Sequence, residues 1–185
     1  GDITLDDTDG ALSGTASDLV DGFAGNVTEH EGNVTVTDAA TIAQLTTIDA
    51  ETTGTLTYTA MTDTSSNLAT NTGSYVTGSV AVTVTSASVT AAHLNTIAGL
   101  TTGTVTATAA TAITGTAAAI ATALSSTTIN HSQTNIVATV DSGSAAATDL
   151  NTINTNSDNA VAATAVTTIT GTHANITTAV SSSGT

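Results

Sequence analysis

The sequence predicts an α/β solenoid of about seven coils, each of ~26 residues and made of one parallel strand and one short helix. Three observations carry that reading. A nonamer recurs four times, as Ala11–Leu19, Ala60–Leu68, Ala112–Ile120 and Thr168–Ile176, in the pattern apolar, Ser/Thr, Gly/Asp, Thr, three small or polar residues, Leu/Ile. A second motif alternates with it, as Leu45-Thr46-Thr47-Ile48, Leu94-Asn95-Thr96-Ile97 and Leu150-Asn151-Thr152-Ile153. The anchors Leu19, Leu45, Leu68, Leu94, Ile120, Leu150 and Ile176 follow one another at steps of 26, 23, 26, 26, 30 and 26 residues.

The strands come first. Alternation of period two places Val or Leu on one face and Thr on the other in 34–37, 56–59, 80–85 and 105–108. Weaker strands are expected at 3–5, 136–140 and 161–166. Helices are expected at 39–50, 64–70, 90–100, 116–124, 145–153 and 172–180. Leu45 with Ile48, and Leu94 with Ile97, give them one apolar edge. Thr15, Thr64, Thr116 and Thr172 stand where a hydroxyl caps a helix N-terminus. Gly54, Gly78 and Gly103 stand just before strands, where a positive φ is often required. Loop insertions are expected at 26–32 and 127–134. Helices this short need tertiary partners, which stacking of successive units supplies. Val36, Leu45, Ile48, Val82, Leu94, Ile97, Val105 and Ile120 are the expected core. A pure β-solenoid, with the Ala-rich stretches also extended, is the alternative. Residues 1–185 are read as one domain, a slice or protomer of a longer array.

The phrases Ile113-Thr114-Gly115-Thr116-Ala117-Ala118-Ala119-Ile120 and Val34–Leu45 resemble the Thr/Ala-rich repeats of very large secreted bacterial surface proteins, of the marine cyanobacterial type. The resemblance covers most of the chain. It implies an extracellular repeat protein and brings no catalytic residues. The calcium-binding Gly-Gly-x-Gly-x-Asp nonapeptide found beside such repeats is missing from this sequence.

Composition narrows the function. The chain has 15 acidic residues and no Lys or Arg, giving a net charge of −15, and it contains no Cys, Pro or Trp. Nucleic-acid binding and attraction to anionic membranes both need basic residues and are excluded. Disulfides and thiolate metal sites are excluded by the missing Cys. No apolar run reaches the ~20 residues of a transmembrane helix. The opening Gly1-Asp2-Ile3, without Met or a basic stretch, predicts a processed product or fragment. Trypsin finds no site. There is no G-x-S-x-G elbow and no phosphate-binding loop, so no enzyme is expected.

Asp6, Asp7 and Asp9, before Gly10, form an acidic turn that could ligate Ca²⁺, although the EF-hand spacing is missing. A solvated turn is the plain alternative. His30, His93, His131 and His173 are scattered; only His30 and His131, both in the expected insertions, could meet. The sequons at Asn26, Asn33, Asn130 and Asn175 could accept glycans. Thr-x-Thr strands would form rows on one face, as in some ice-binding proteins, or simply fill an exposed β face. The rows would be interrupted at Tyr58, Ala138 and Ala163.

The expected function is that of a secreted, extracellular structural protein. It would form a filament, sheath, surface layer or adhesin stalk by end-to-end stacking into a homopolymer. A binding module, for ice or glycan, is the alternative.

Overall fold

A computed structural model of the chain describes residues 10–24, 30–133 and 135–182. In chain order the first elements are β1 (Leu12–Gly14), α1 (Ala16–Phe23), β2 (Val34–Val36), α2 (Ile42–Ala50), β3 (Leu56–Thr57), β4 (Ala60–Asp63) and α3 (Ser65–Thr70). Next come β5 (Ala81–Val84), β6 (Ser88–Thr90), α4 (Ala91–Leu100), β7 (Val105–Thr106), β8 (Ala112–Gly115) and α5 (Ala117–Ser125). The rest are β9 (Ile129–Asn130), β10 (Val137–Val140), β11 (Gly143–Ala146), α6 (Ala147–Thr155), β12 (Val166–Thr170) and α7 (His173–Ser181).

The helices form where a Thr hydroxyl precedes an Ala-rich stretch. Thr15, Thr64, Thr116 and Thr172 each accept a hydrogen bond from the backbone N–H three residues on, as their spacing predicts. Thr41 completes a capping box with Gln44. With no cation to pair with, two carboxylates serve helix ends instead. Asp38 Oδ1 accepts from Ala16 N at 2.7 Å, and Asp63 Oδ2 from Ile42 N at 3.1 Å. Each thereby puts negative charge at the positive end of the preceding helix. Ser86 plays the neutral version of this part, accepting from Ser65 N at 2.9 Å.

All strand pairs are parallel, and paired residues lie 21–25 apart in sequence. The strands do not build one ladder. They divide into four unequal sheets, β1-β2-β3, β4-β5-β7-β9, β6-β8-β10 and β11-β12. This overturns the α/β solenoid of about seven coils. The expected single wall fails for local reasons. β3 and β9 are only two residues long, and Ala40 with Met61, and Thr139 with Ala162, meet as single bridges. Most helices are also preceded by a second strand inside the nonamer itself, such as Ala60–Asp63 or Ala112–Gly115, where one strand per coil is expected. The α-helices exclude the pure β-solenoid as well.

Packing leads to the same conclusion. Buried apolar residues from Ala16 to Ala179 join in one cluster. The accessible surface is 9078 Å², close to the roughly 8,000 Å² expected for a compact monomer of this mass. The chain is thus a compact α/β domain with long-range packing throughout. An end-to-end filament, sheath, surface layer or adhesin stalk has no elongated repeating body to rest on. The individual core positions are nevertheless as expected: Val36, Leu45, Ile48, Val82, Leu94, Ile97, Val105 and Ile120 are all buried. Each large aliphatic side chain among them contributes about 1.5–3 kcal/mol.

A recurrent polar contact ties the layers. Thr52 Oγ1 donates to Gly32 O at 2.9 Å and accepts from Gly54 N at 3.0 Å. Thr101 Oγ1 donates to Val80 O at 2.6 Å and accepts from Gly103 N at 2.9 Å. Ser157 does the same between Ile136 O, at 2.8 Å, and Asn159 N, at 3.3 Å. All three hydroxyl residues are buried. This explains the shared phrase Thr-Thr-Gly-Thr at 52–55 and 101–104. The Thr clamps a neighbouring carbonyl, and the Gly passes so close that a Cβ at 103 would lie 2.7 Å from Ser79 O. The positive φ expected at Gly54, Gly78 and Gly103 is found at Gly78 alone of the three.

Candidate functional site

The acidic turn Asp6-Asp7-Asp9 lies outside the described residues, as does the expected strand at 3–5. Among the described residues, no three His, Cys, Asp or Glu side chains gather as a metal site would require. Asp18 and Asp21 are exposed on α1, and Asp18 accepts from the Thr15 hydroxyl at 2.8 Å.

His30 and His131 are not brought together. His30 is fully buried, 6.2 Å from the Phe23 ring, and bridges in parallel to Thr52. Neither of its ring nitrogens has a hydrogen-bond partner among the described residues. His131 instead points Nε2 at Leu124 O, 3.0 Å away. The expected insertion at 127–134 is also more than a loop, since it carries β9.

One Ser–His contact has no counterpart in the sequence motifs. Ser65 Oγ lies 3.4 Å from His93 Nδ1, between the starts of α3 and α4. Their separation of 28 residues matches no local motif, so no sequence signal marks it. Ser65 is buried and its contact is long, and among the described residues no carboxylate hydrogen-bonds to the His93 imidazole. The pair reads as helix-to-helix packing rather than a nucleophile and base.

The chain's two tyrosines meet as well. Their rings cross edge to face at 6.3 Å; Tyr58 donates to Tyr75 O at 2.8 Å, and Tyr75 donates to Asp49 Oδ2 at 3.2 Å. Burial pushes both phenols above their usual range, helped for Tyr58 by the neighbouring Tyr75 and Asp49. With Tyr75 buried and Tyr58 half-buried, they offer no flat aromatic platform.

What reaches the surface in order is Thr. Parallel register sets Ser13 beside Thr35 beside Thr57, all exposed. On the next sheet Thr62, Thr83, Thr106 and Asn130 form a second row. Neighbouring strands lie ~4.8 Å apart. The alternation that buries Val34, Val36, Val82 and Val84 turns these Thr outward. Helical Thr use their hydroxyls internally: Thr46, Thr122, Thr152 and Thr177 donate to carbonyls four residues back. The hydroxyls of Thr35, Thr57, Thr83 and Thr85 have no such partner among the described residues.

The expected breaks in the rows fall elsewhere. Tyr58 is half-buried and Ala138 buried, whereas Ala81 and Val137 are exposed. The rows are divided between separate sheets, so the single uninterrupted face of an ice-binding array does not form. Of the sequons, Asn33 is exposed but its Oδ1 accepts from Thr55 N at 2.9 Å; Asn130 is exposed and Asn175 half-buried. Asn26 lies outside the described residues. No helix among the described residues is long and apolar enough to cross a membrane.

Compared with known proteins, the chain matches no family model, no curated protein and no solved structure.

Proposed function

We propose that the chain is a non-catalytic binding module whose Thr rows take a neutral, polyhydroxylated ligand of the glycan class. The observation that supports this most is the in-register row Ser13–Thr35–Thr57, with the Thr hydroxyls left free by the described residues. A hydroxyl both donates and accepts, which suits sugar hydroxyls. An anionic ligand would meet a net charge of −15 without one Lys or Arg. Without an aromatic platform each contact is weak, and useful affinity comes from several sugars bound along a row. An extracellular site of action, and kinship with the Thr/Ala-rich surface repeats, belong to the same proposal.

Pull-down on insoluble neutral polysaccharides, alongside a soluble glycan panel, tests it. Binding should be nearly indifferent to salt between about 0.05 and 0.5 M, since no ion pair is involved. Thr35→Val with Thr57→Val should weaken it at least about tenfold, the loss of one to two hydrogen bonds. A panel without a binder, or a double variant that binds as well as the parent, rejects the reading. Measurable turnover of a retained glycan would reject the non-catalytic half.

A further inference from the structure

The helix layer has one gap. Each helix packs closely on the next in chain order except α2 and α3. The sheets part at the same place, since β3 closes one sheet and β4 opens another. Among the described residues the strand ladders cross this seam as a single bridge, Ala40 with Met61. The two Thr rows stand on either side of it, one ending at Thr57 and the other starting at Thr62.

What spans the seam is Tyr75, carried by the segment 71–79 that follows α3. Its ring is buried edge to face against Tyr58. Its hydroxyl donates to Asp49 Oδ2 on α2 at 3.2 Å, and its carbonyl accepts from the Tyr58 hydroxyl at 2.8 Å. The backbone is bent sharply to deliver it. Asn71, Gly73 and Ser74 have φ of 48°, 83° and 61°, and Asn71 and Ser74 are the two non-glycine residues with positive φ among the described residues. At Ser74 that conformation carries a steric cost. A Cβ at Gly73 would overlap the Tyr75 ring, so the seated ring requires glycine there. Asn71 fixes the bend: its amide donates to Val76 O at 3.0 Å, and its Oδ1 accepts from Val76 N at 2.7 Å.

We propose that 71–79 is a strap and that Tyr75 is its latch, fastening α2 and β3 to α3 and β4. Strain in the strap and sparse pairing beneath it make this seam the first part of the native fold to open. The ring leaves its place between Asp49 and Tyr58, the left-handed residues relax, and the seam loosens while the ladders beyond it stay closed. Opening changes how the two Thr rows stand to one another, whether or not a glycan binds them, so the latch is independent of the glycan reading.

Native-state hydrogen exchange at single amides of the full chain tests this. The reporters are Thr62 N, which donates across the seam to Ala40 O, and Val76 N in the strap. The references are Val105 N and Val137 N, in ladders beyond the seam. In the parent the two reporters should exchange at least tenfold faster than the references, after correction for intrinsic rates. Tyr75→Ala should speed the reporters at least tenfold more than the references. Gly73→Ala, which leaves no room for the seated ring, should act in the same direction. Tyr75→Phe keeps the ring and loses only the Asp49 bond; it should speed the reporters severalfold with the references unchanged, and it carries the test if Tyr75→Ala does not fold. Equal acceleration of reporters and references, or reporters as slow as the references in the parent, overturns the proposal.

Discussion

At His30 the fold holds an imidazole whose two nitrogens find no hydrogen-bond partner among the described residues, beside the Phe23 ring. A buried polar group without partners costs about 1–3 kcal/mol, so an apolar replacement of similar size relieves that cost. His30→Leu should therefore leave stability at pH 7.5 unchanged or raise it by up to about 2 kcal/mol in urea unfolding. A loss of more than about 1 kcal/mol would show that the ring has a partner in solution. Thr101 is the opposite case, because its hydroxyl serves two backbone groups, one of them fully buried. Thr101→Val keeps the shape but strands Val80 O and Gly103 N, and should cost about 2–4 kcal/mol by the same measurement. A cost below about 0.5 kcal/mol would mean that water replaces the hydroxyl.

Between elements, the Tyr58–Tyr75–Asp49 contact makes the α2–β3 region sensitive to alkali. Burial raises both phenol pKa values above the ordinary 10.0. Above pH 10 the unfolded chain then holds fewer protons on these groups than the folded one, so stability falls as pH rises. Tyr58→Phe should flatten that fall between about pH 10 and 11.5, read as a shallower loss of melting temperature. A slope equal to the parent's would place the alkaline sensitivity elsewhere. Helices are legible in the sequence because Thr caps and Leu/Ile anchors act within one turn, and strands with two or more Val or Leu show through period two. The strands before the helices are not, since Ala112–Gly115 and Gly143–Ala146 hold too few apolar residues to alternate. Sheet membership is hidden for another reason. Pairing runs at 21–25 residues while the anchors run at 23–30, and that mismatch shows only once the register is known. The Thr rows can be read strand by strand. Which hydroxyls stay free cannot, because helical and strand Thr look alike in sequence.

For the whole molecule the excess of carboxylates matters most. Asp38 and Asp63 find helix N-termini, but fifteen negative charges repel without a Lys or Arg to balance them. Raising salt from about 10 to 500 mM shortens the screening length from ~30 Å to under 5 Å. The melting temperature should climb with it, by several degrees, and most steeply below about 0.1 M. A melting temperature independent of salt would show that the carboxylates lie too far apart to interact.

The constant reach of the strand pairings also sets how the chain gets to its fold. Each ladder joins residues only 21–25 apart in a chain of 185, a relative separation of about 0.12, close to helical bundles and below most β-rich domains. Every pairing closes a loop of nearly the same length, so no single closure dominates the entropic barrier. A protein whose twelve described strands pair in parallel, a class expected to fold slowly, should thus refold within milliseconds, free of slow proline phases because it has no Pro.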